Sequence, residues 1–230
     1  MTQFQIPTIP PLENGDRLTR AEFERRYQTM PHLKKAELIE GVVYLPAALR
    51  FKTHADPHSN LLGWLWSYRI ATPGLELGIE PTVRLDLGNE PQPDAALFIS
   101  EACGGQTRIS PDDYIEGAPE LLAEIAGSSV AIDLGDKKQA YQRNGVQEYI
   151  VWRVYDRAID WFVLENGVYT LLPMNEAGVI RSRLYPGLWL AVNAMLSSEM
   201  QAVMATLQTG LQSAEHAAFV QKLAQRLATF

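Results

Sequence analysis

The stretch LLAEIAGSS, residues 121–129, decides the predicted fold because it combines a strand pattern with a single acid. Residues 121–126 are otherwise apolar, which is typical of a strand covered on both faces of a sheet. A carboxylate in such a strand is costly to bury unless a neighbouring group compensates its charge. Glu124 is therefore the first candidate functional residue, and its partner has to come from elsewhere in the chain.

The segments around this strand predict an α/β protein whose mixed sheet is flanked by helices. PDAALFI, residues 93–99, is a second nearly continuous apolar run, and QEYIVWRV, residues 147–154, follows as a third. Between the strands, residues 133–146 predict a helix that Asp133 caps, with Asp136 completing a capping box, and that ends at Asn144-Gly145. The strand, helix and strand have the length and order of a parallel crossover.

The rest of the chain predicts smaller elements around this unit. A helix capped by Thr19 comes first, and Glu40-Gly41 and Asn166-Gly167 mark two hairpin turns. From Ser197 onward the pattern predicts two amphipathic helices that are separated by Gly210, the second of them capped by Ser213. These C-terminal helices are expected to pack on their own domain or to mediate self-association.

Length and composition predict one domain with peripheral additions. The chain has 230 residues, of which 47% are hydrophobic and 20% charged, so it can bury a substantial core. We divide it into a tail (1–15), the α/β domain (16–195) and a helical extension of the same domain (196–230). The sequence has no membrane-length apolar run and no signal-like start. Together with the single Cys103, these features predict a cytoplasmic protein without a membrane partner.

Three side chains form the candidate site. Asp94 stands where the second apolar strand begins, and neighbouring strands would bring it to the same sheet edge as Glu124. Lys137 lies near the start of the following helix, on the same face as Tyr141 four residues later. Two carboxylates that converge repel each other, and a hard cation such as Mg²⁺, with Mn²⁺ as a substitute, relieves the repulsion. A metal beside an ammonium group is suited to hydrolysing a phosphodiester, which predicts a nuclease.

The motifs that carry a family resemblance cover most of residues 16–195. They are ELIEGVVY (37–44), HADPHSNLLGWL (54–65), EPQPDAALF (90–98), EGAPELLAEIAGSS (116–129) and DLGDKKQAYQRNGVQEYIVW (133–152). In these motifs the chain resembles the Uma family of the PD-(D/E)XK nuclease superfamily. The resemblance implies a restriction-endonuclease-like fold and a Mg²⁺-dependent bacterial endonuclease that acts on DNA.

The same resemblance assigns roles to residues. Asp94 and Glu124 would be the metal ligands, and Lys137 would be the catalytic lysine. The common superfamily motif has its lysine two residues after the glutamate, where this chain has Ala126. The resemblance implies that in this family the lysine lies on the following helix, where Lys138 competes with Lys137. Lys137 is preferred because its spacing to Tyr141 follows the family pattern K-x-x-x-Y.

Further polar residues are candidates for the rim of the site. Glu37, Glu80, His58 and Tyr141 are the rim residues that we consider, although a hairpin surface is the simpler location for Glu37. His54 and His58 are four residues apart, as in zinc-binding helices. The pair Asp56-Pro57, however, predicts that the helix starts after His54, so the two rings would not share a face. A zinc site is therefore not expected.

The net charge of −7 leaves other functions open. An acidic chain has few cations for neutralising phosphates, so its non-specific DNA affinity should be weak and sensitive to salt. A catalytically inactive binding or assembly module with the same scaffold would fit this charge. A nuclease that acts on RNA is a third interpretation, because the predicted chemistry engages the phosphate and not the sugar. A homodimer could combine two small binding grooves.

Overall fold

A six-stranded mixed sheet forms the centre of the computed structural model, which describes residues 9–46 and 48–229. The strands are β1 (Glu37–Ile39), β2 (Val42–Tyr44), β3 (Leu75–Ile79), β4 (Val83–Arg84), β5 (Ala95–Ile99), β6 (Arg108–Ile109), β7 (Ile115–Glu116), β8 (Leu121–Ala126), β9 (Glu148–Arg153), β10 (Ala158–Glu165), β11 (Val168–Leu171), β12 (Val179–Arg181) and β13 (Trp189–Ala191). The helices are α1 (Arg20–Tyr27), α2 (Asp56–Ala71), α3 (Val130–Asp133), α4 (Asp136–Asn144), α5 (Val192–Leu196), α6 (Met200–Leu211) and α7 (Ala214–Leu227).

The strand order of the main sheet is β11-β10-β9-β8-β5-β3. β8 and β9 are parallel and are joined through α3 and α4, which confirms the predicted crossover. The other neighbouring pairs of this sheet are antiparallel. Among the described residues, β1 and β2 form a separate hairpin, β12 pairs with β13, and the order β4-β7-β6 forms a small third sheet. The predicted α/β fold class with a mixed sheet flanked by helices is confirmed.

The two faces of β8 contribute to different cores. Leu121, Ala123 and Ile125 pack into the apolar cluster that contains the buried face of α2. Leu122 and Ala126 pack into a second cluster with Tyr141 of α4. Because side chains alternate along a strand, Glu124 belongs to the second face and points toward α4. The strand period therefore brings the acid to the helix that carries Lys137.

The predicted start of α2 is wrong. A π-helical turn, Phe51–Ala55, runs directly into α2, so Asp56 is the first residue of the α-helix and not its cap. Pro57 has no N–H group to donate, and the winding ahead of it is π-helical, with the Asp56 N–H bonded to the carbonyl of Phe51. Helical winding therefore already includes His54, which changes the expected placement of both histidines.

The predicted capping box at Asp133 is also wrong. Asp133 is the last residue of the short helix α3, and α4 begins at Asp136 after a break at Gly135. The Asp133 carboxylate is buried and accepts a hydrogen bond of 2.6 Å from the hydroxyl of Ser129, so it does not cap the following helix. The predicted end of α4 is confirmed, because Gly145 follows Asn144 with a φ of 86°, which favours glycine.

The peripheral elements follow the sequence prediction except at Gly210. Thr19 caps α1, both hairpins are present, and Ser213 caps α7. Gly210 lies inside α6, where an added Cβ would come within 2.2 Å of the carbonyl oxygen of Gly187. Its role is thus a close helix contact and not a helix break. None of the described helices is both long and apolar enough to cross a membrane. Residues 1–8 of the predicted tail lie outside the described residues.

Candidate functional site

Glu124 lies in a buried position and contacts two donors from α4. Lys137 Nζ lies 3.0 Å from Glu124 Oε1, and the Tyr141 hydroxyl donates a hydrogen bond of 2.9 Å to the same oxygen. Both donors come from one face of the helix, since they are four residues apart. Lys137 and Tyr141 therefore compensate the charge of Glu124, and its other oxygen, Oε2, takes part in neither contact.

Lys137 is surrounded by three carboxylates. Besides Glu124, its Nζ lies 2.9 Å from Glu37 Oε1 and 3.7 Å from Asp133 Oδ1. Burial alone would lower the pKa of Lys137, but the three carboxylates together raise it well above its usual value. Lys138 points elsewhere, with its Nζ 3.7 Å from the centre of the Phe162 ring. The geometry thus places Lys137, and not the competing Lys138, beside Glu124.

Asp94 lies just ahead of β5, which pairs with β8 so that Ala95 is opposite Ala123. Its Oδ2 accepts a hydrogen bond of 2.6 Å from the backbone N–H of Ile125. Burial alone would raise the pKa of Asp94, but His54 and the Ile125 amide hold it below its usual value. The expected neighbouring strands are therefore present, and Asp94 is bonded to the residue that follows Glu124.

His54, His58 and Glu80 lie around Asp94. His54 Nε2 lies 3.3 Å from Asp94 Oδ1, and His58 Nε2 lies 2.8 Å from the Asp94 carbonyl oxygen. The two imidazole rings are 5.5 Å apart, so the expectation that they lie on different faces is wrong. Ligand atoms from His54, His58, Glu80 and Asp94 all lie within 4.8 Å of one another. The rim candidates thus divide, with Glu37 and Tyr141 near Lys137, and His58 and Glu80 near Asp94.

The site carries more negative than positive groups. Burial raises the pKa of Glu124 well above its usual value, and the charges of Asp133, Asp94 and Glu37 add to this effect against Lys137. A divalent cation that shares the carboxylates would relieve this repulsion, and carboxylate oxygens are the ligands that Mg²⁺ and Mn²⁺ prefer. The carboxylates of Asp94 and Glu124 are therefore of the ligand type that fits such an ion. Asp94 lies just ahead of β5, whose Ala95 is opposite Ala123 of β8, and its charge acts on Glu124.

Sequence reasoning missed two residues of the site, Asp133 and His54. The sequence pattern around Asp133 indicates a helix cap, although its spacing of four residues from Lys137 is also the spacing of an ion pair on one helical face. Asp56-Pro57 resembles a helix start, which by pattern alone excludes His54 from the helix. The spacing of four residues between His54 and His58 could have indicated that the two rings lie close together. The π-helical turn, which extends the helical winding back over His54, brings this about.

The chain matches a known family model, and its fold is similar to that of a solved structure. The model of the Uma2 family, described as "Putative restriction endonuclease", matches residues 20–193. A similar solved structure is described as "a putative nuclease belonging to DUF820 from Anabaena variabilis ATCC 29413". It shares 12% sequence identity with a TM-score of 0.55, and the match covers 80% of this chain and 97% of that chain. No curated protein matches the chain. Since the family model covers most of the sequence, the chain belongs to the Uma2 family.

Proposed function

We propose that the protein is a metal-dependent endonuclease that hydrolyses phosphodiester bonds in DNA. The observation that carries this proposal is the buried contact between Lys137 and Glu124. Glu124 lies on β8, and Asp94 directly precedes β5, the strand that pairs with β8. Family membership and the likeness of the fold to a nuclease support the reaction class. The choice of DNA rests on the family description alone, because the site chemistry engages the phosphate.

Each residue of the site would have its own role in the reaction. Asp94 and Glu124 would hold Mg²⁺, for which Mn²⁺ can substitute, through their carboxylate oxygens. When bound, such an ion activates water and neutralises charge on the phosphate. Lys137 brings a fixed positive charge that stabilises the developing negative charge of the transition state. Tyr141 is a positioning residue, because its hydroxyl holds Glu124 Oε1 and so orients the carboxylate.

Charge determines how the substrate would bind. The net charge of −7 gives the chain little non-specific attraction to a polyanion. Affinity should therefore depend on the metal ion and on few phosphate contacts, and it should fall as salt rises. Cleavage assays belong at low ionic strength and with both single-stranded and double-stranded substrates.

The proposal is tested by incubating the full chain with DNA and with RNA in the presence of Mg²⁺ or Mn²⁺. We expect metal-dependent cleavage that falls at least 100-fold in Asp94→Asn, Glu124→Gln and Lys137→Met. Glu76→Gln is the matched control, since Glu76 is an exposed acid on β3. Circular dichroism checks that each variant is folded.

Two outcomes would contradict the proposal. Full activity in both Asp94→Asn and Glu124→Gln would exclude this site as the catalytic centre. A folded wild-type chain that cleaves neither DNA nor RNA with either metal would favour the inactive binding module. Cleavage of RNA but not of DNA would keep the mechanism and correct the substrate.

A further inference from the structure

We propose that His54, His58, Glu80 and Asp94 form a binding site for a divalent first-row transition-metal ion such as Mn²⁺ or Zn²⁺. The inference rests on the proposed function in one respect: Asp94 is a metal ligand in both proposals. It goes beyond that function because it adds nitrogen ligands and excludes Mg²⁺ as the preferred ion. Neither histidine belongs to the Asp94, Glu124 and Lys137 set from which the nuclease is argued.

The distances fit a metal ion. One ligand atom from each of the four residues lies within 4.8 Å of the others. Ligands bound at about 2.0–2.2 Å from a metal are at most about 4.4 Å apart when they lie on opposite sides of it. Side-chain adjustments of a few tenths of an ångström would therefore close the four ligands around one ion.

His54 offers a buried ring nitrogen that faces the Asp94 carboxylate. Its Nε2 is buried and, among the described residues, makes no hydrogen bond, although it lies 3.3 Å from Asp94 Oδ1. A buried polar atom without a partner is costly, and an ion between the imidazole and the carboxylate would satisfy both groups. This buried nitrogen, which faces a carboxylate without forming a hydrogen bond among the described residues, distinguishes the site from an ordinary surface cluster of acids.

The local backbone brings the two imidazoles together. The π-helical turn, Phe51–Ala55, continues into α2 and places His54 one turn ahead of His58. It packs closely on the end of β8, because an added Cβ at Gly127 would lie 3.1 Å from the Thr53 carbonyl oxygen. His58 is held by its contact with the Asp94 carbonyl, the kind of backbone contact that orients ligating histidines. Insertions of π-helix occur frequently at functional sites.

The ligand types select the class of ion. Imidazole suits Zn²⁺ and its neighbours and carboxylate suits Mn²⁺, so the mixed set of two imidazoles and two carboxylates favours a first-row transition metal. Mg²⁺ prefers oxygen ligands alone and retains its waters. Glu80 lies on the solvent side, where Lys35 Nζ is 3.5 Å from its Oε1. That exposed contact is weak enough for an entering cation to displace it.

Calorimetric titration of the chelator-treated full chain with Mn²⁺, Zn²⁺ and Mg²⁺ tests the inference. We expect a site that binds Mn²⁺ or Zn²⁺ at least tenfold more tightly than Mg²⁺. His54→Gln and His58→Gln should each weaken this binding at least tenfold, while His32→Gln, which changes an exposed histidine outside the group, should not. The absorption spectrum of bound Co²⁺ should change in the same two variants, which a merely structural role would not produce.

The outcomes separate this inference from the nuclease proposal. If His54→Gln and His58→Gln bind the ions as the wild type does while Glu124→Gln does not, the inference is wrong and the nuclease proposal stands. Equal affinity of the wild type for Mg²⁺ and Mn²⁺ would also overturn it. Loss of the ion in both histidine variants of a chain that cleaves neither DNA nor RNA would support the metal site and remove the nuclease. Melting temperatures of the metal-free variants show that each one is folded.

Discussion

Lys137 joins four elements of the fold through one ammonium group. From α4 it contacts Glu124 on β8, Glu37 on β1 and Asp133 on α3. Its side chain is nearly fully buried, so these contacts are little screened by water. Removing one partner of a buried ion pair leaves an uncompensated charge, which costs far more than losing a surface pair. The residue should therefore matter for stability as well as for chemistry.

We expect Lys137→Met to lower the free energy of unfolding by about 3–5 kcal/mol at neutral pH, because the buried Glu124 and Asp133 and the partly buried Glu37 lose their cation. Lys138→Met is the matched control on the same helix, and its contact with the buried Phe162 ring should be worth about 0.5–2 kcal/mol. Urea unfolding followed by circular dichroism measures both values. Equal destabilisation by the two substitutions would show that Lys137 is not the cation that balances the site.

At the level of single residues, the sequence predicts part of this arrangement. An acid inside an apolar strand requires a partner, and the spacing of Lys137 and Tyr141 on a helical face provides one. The contact of Lys137 with Glu37 could not be predicted, because it depends on how a hairpin that is distant in the sequence packs over α4. Such long-range placement leaves no periodic pattern in the sequence.

At the level of elements, α6 depends on a close contact between two glycines. Gly210 is buried in this helix, and an added Cβ there would lie 2.2 Å from the carbonyl oxygen of Gly187. Gly63 in α2 is exposed, with no atom within 4 Å of an added Cβ. The two glycines thus have the same helical backbone but opposite surroundings.

We expect Gly210→Ala to destabilise the fold by about 2 kcal/mol or more, because the backbones of α6 and the Gly187 turn have to separate. Gly63→Ala should stabilise it by about 0.5–1 kcal/mol, since alanine is the better helix former. Thermal unfolding of the two variants and the wild type is the measurement. A stabilising Gly210→Ala would show that the close contact with Gly187 is absent.

Elements with a strong period were predictable, and those that depend on irregular winding were not. Strand β8, the crossover to β9 and the hairpins follow from apolar runs and turn residues. The π-helical turn before α2 has no comparable signature, since Asp56-Pro57 resembles a normal helix start. The helix break at Gly135 could not be predicted either, because Asp133 and Asp136 on either side of it resemble a capping box. Both irregularities lie beside the candidate site and place His54 and Asp133 there.

At the level of the whole molecule, Glu90 links the N-terminal elements to the main domain. Its carboxyl group faces Glu24 of α1, and Arg84 of β4 lies between them, with Nε 2.9 Å from Glu24 Oε1 and 3.9 Å from Glu90 Oε2. Its backbone N–H donates to the carbonyl of Leu38 in β1. Burial, followed by the neighbouring Glu24, raises the pKa of Glu90 to about 8, while Arg84 and Arg20 oppose the shift.

This raised pKa predicts how the stability of the protein depends on pH. A carboxyl that is protonated more readily in the folded state contributes stability that is complete below its ordinary pKa of 4.5 and is lost as the pH rises through about 8. Glu90→Gln keeps a neutral polar group and should therefore unfold less readily than the wild type at pH 9, by on the order of 2 kcal/mol. The difference should shrink toward pH 5. Urea unfolding across this range, with the exposed Glu76→Gln as control, measures it. A wild-type advantage that grows with pH would mean that Glu90 is charged in the folded protein and that Arg84 balances it.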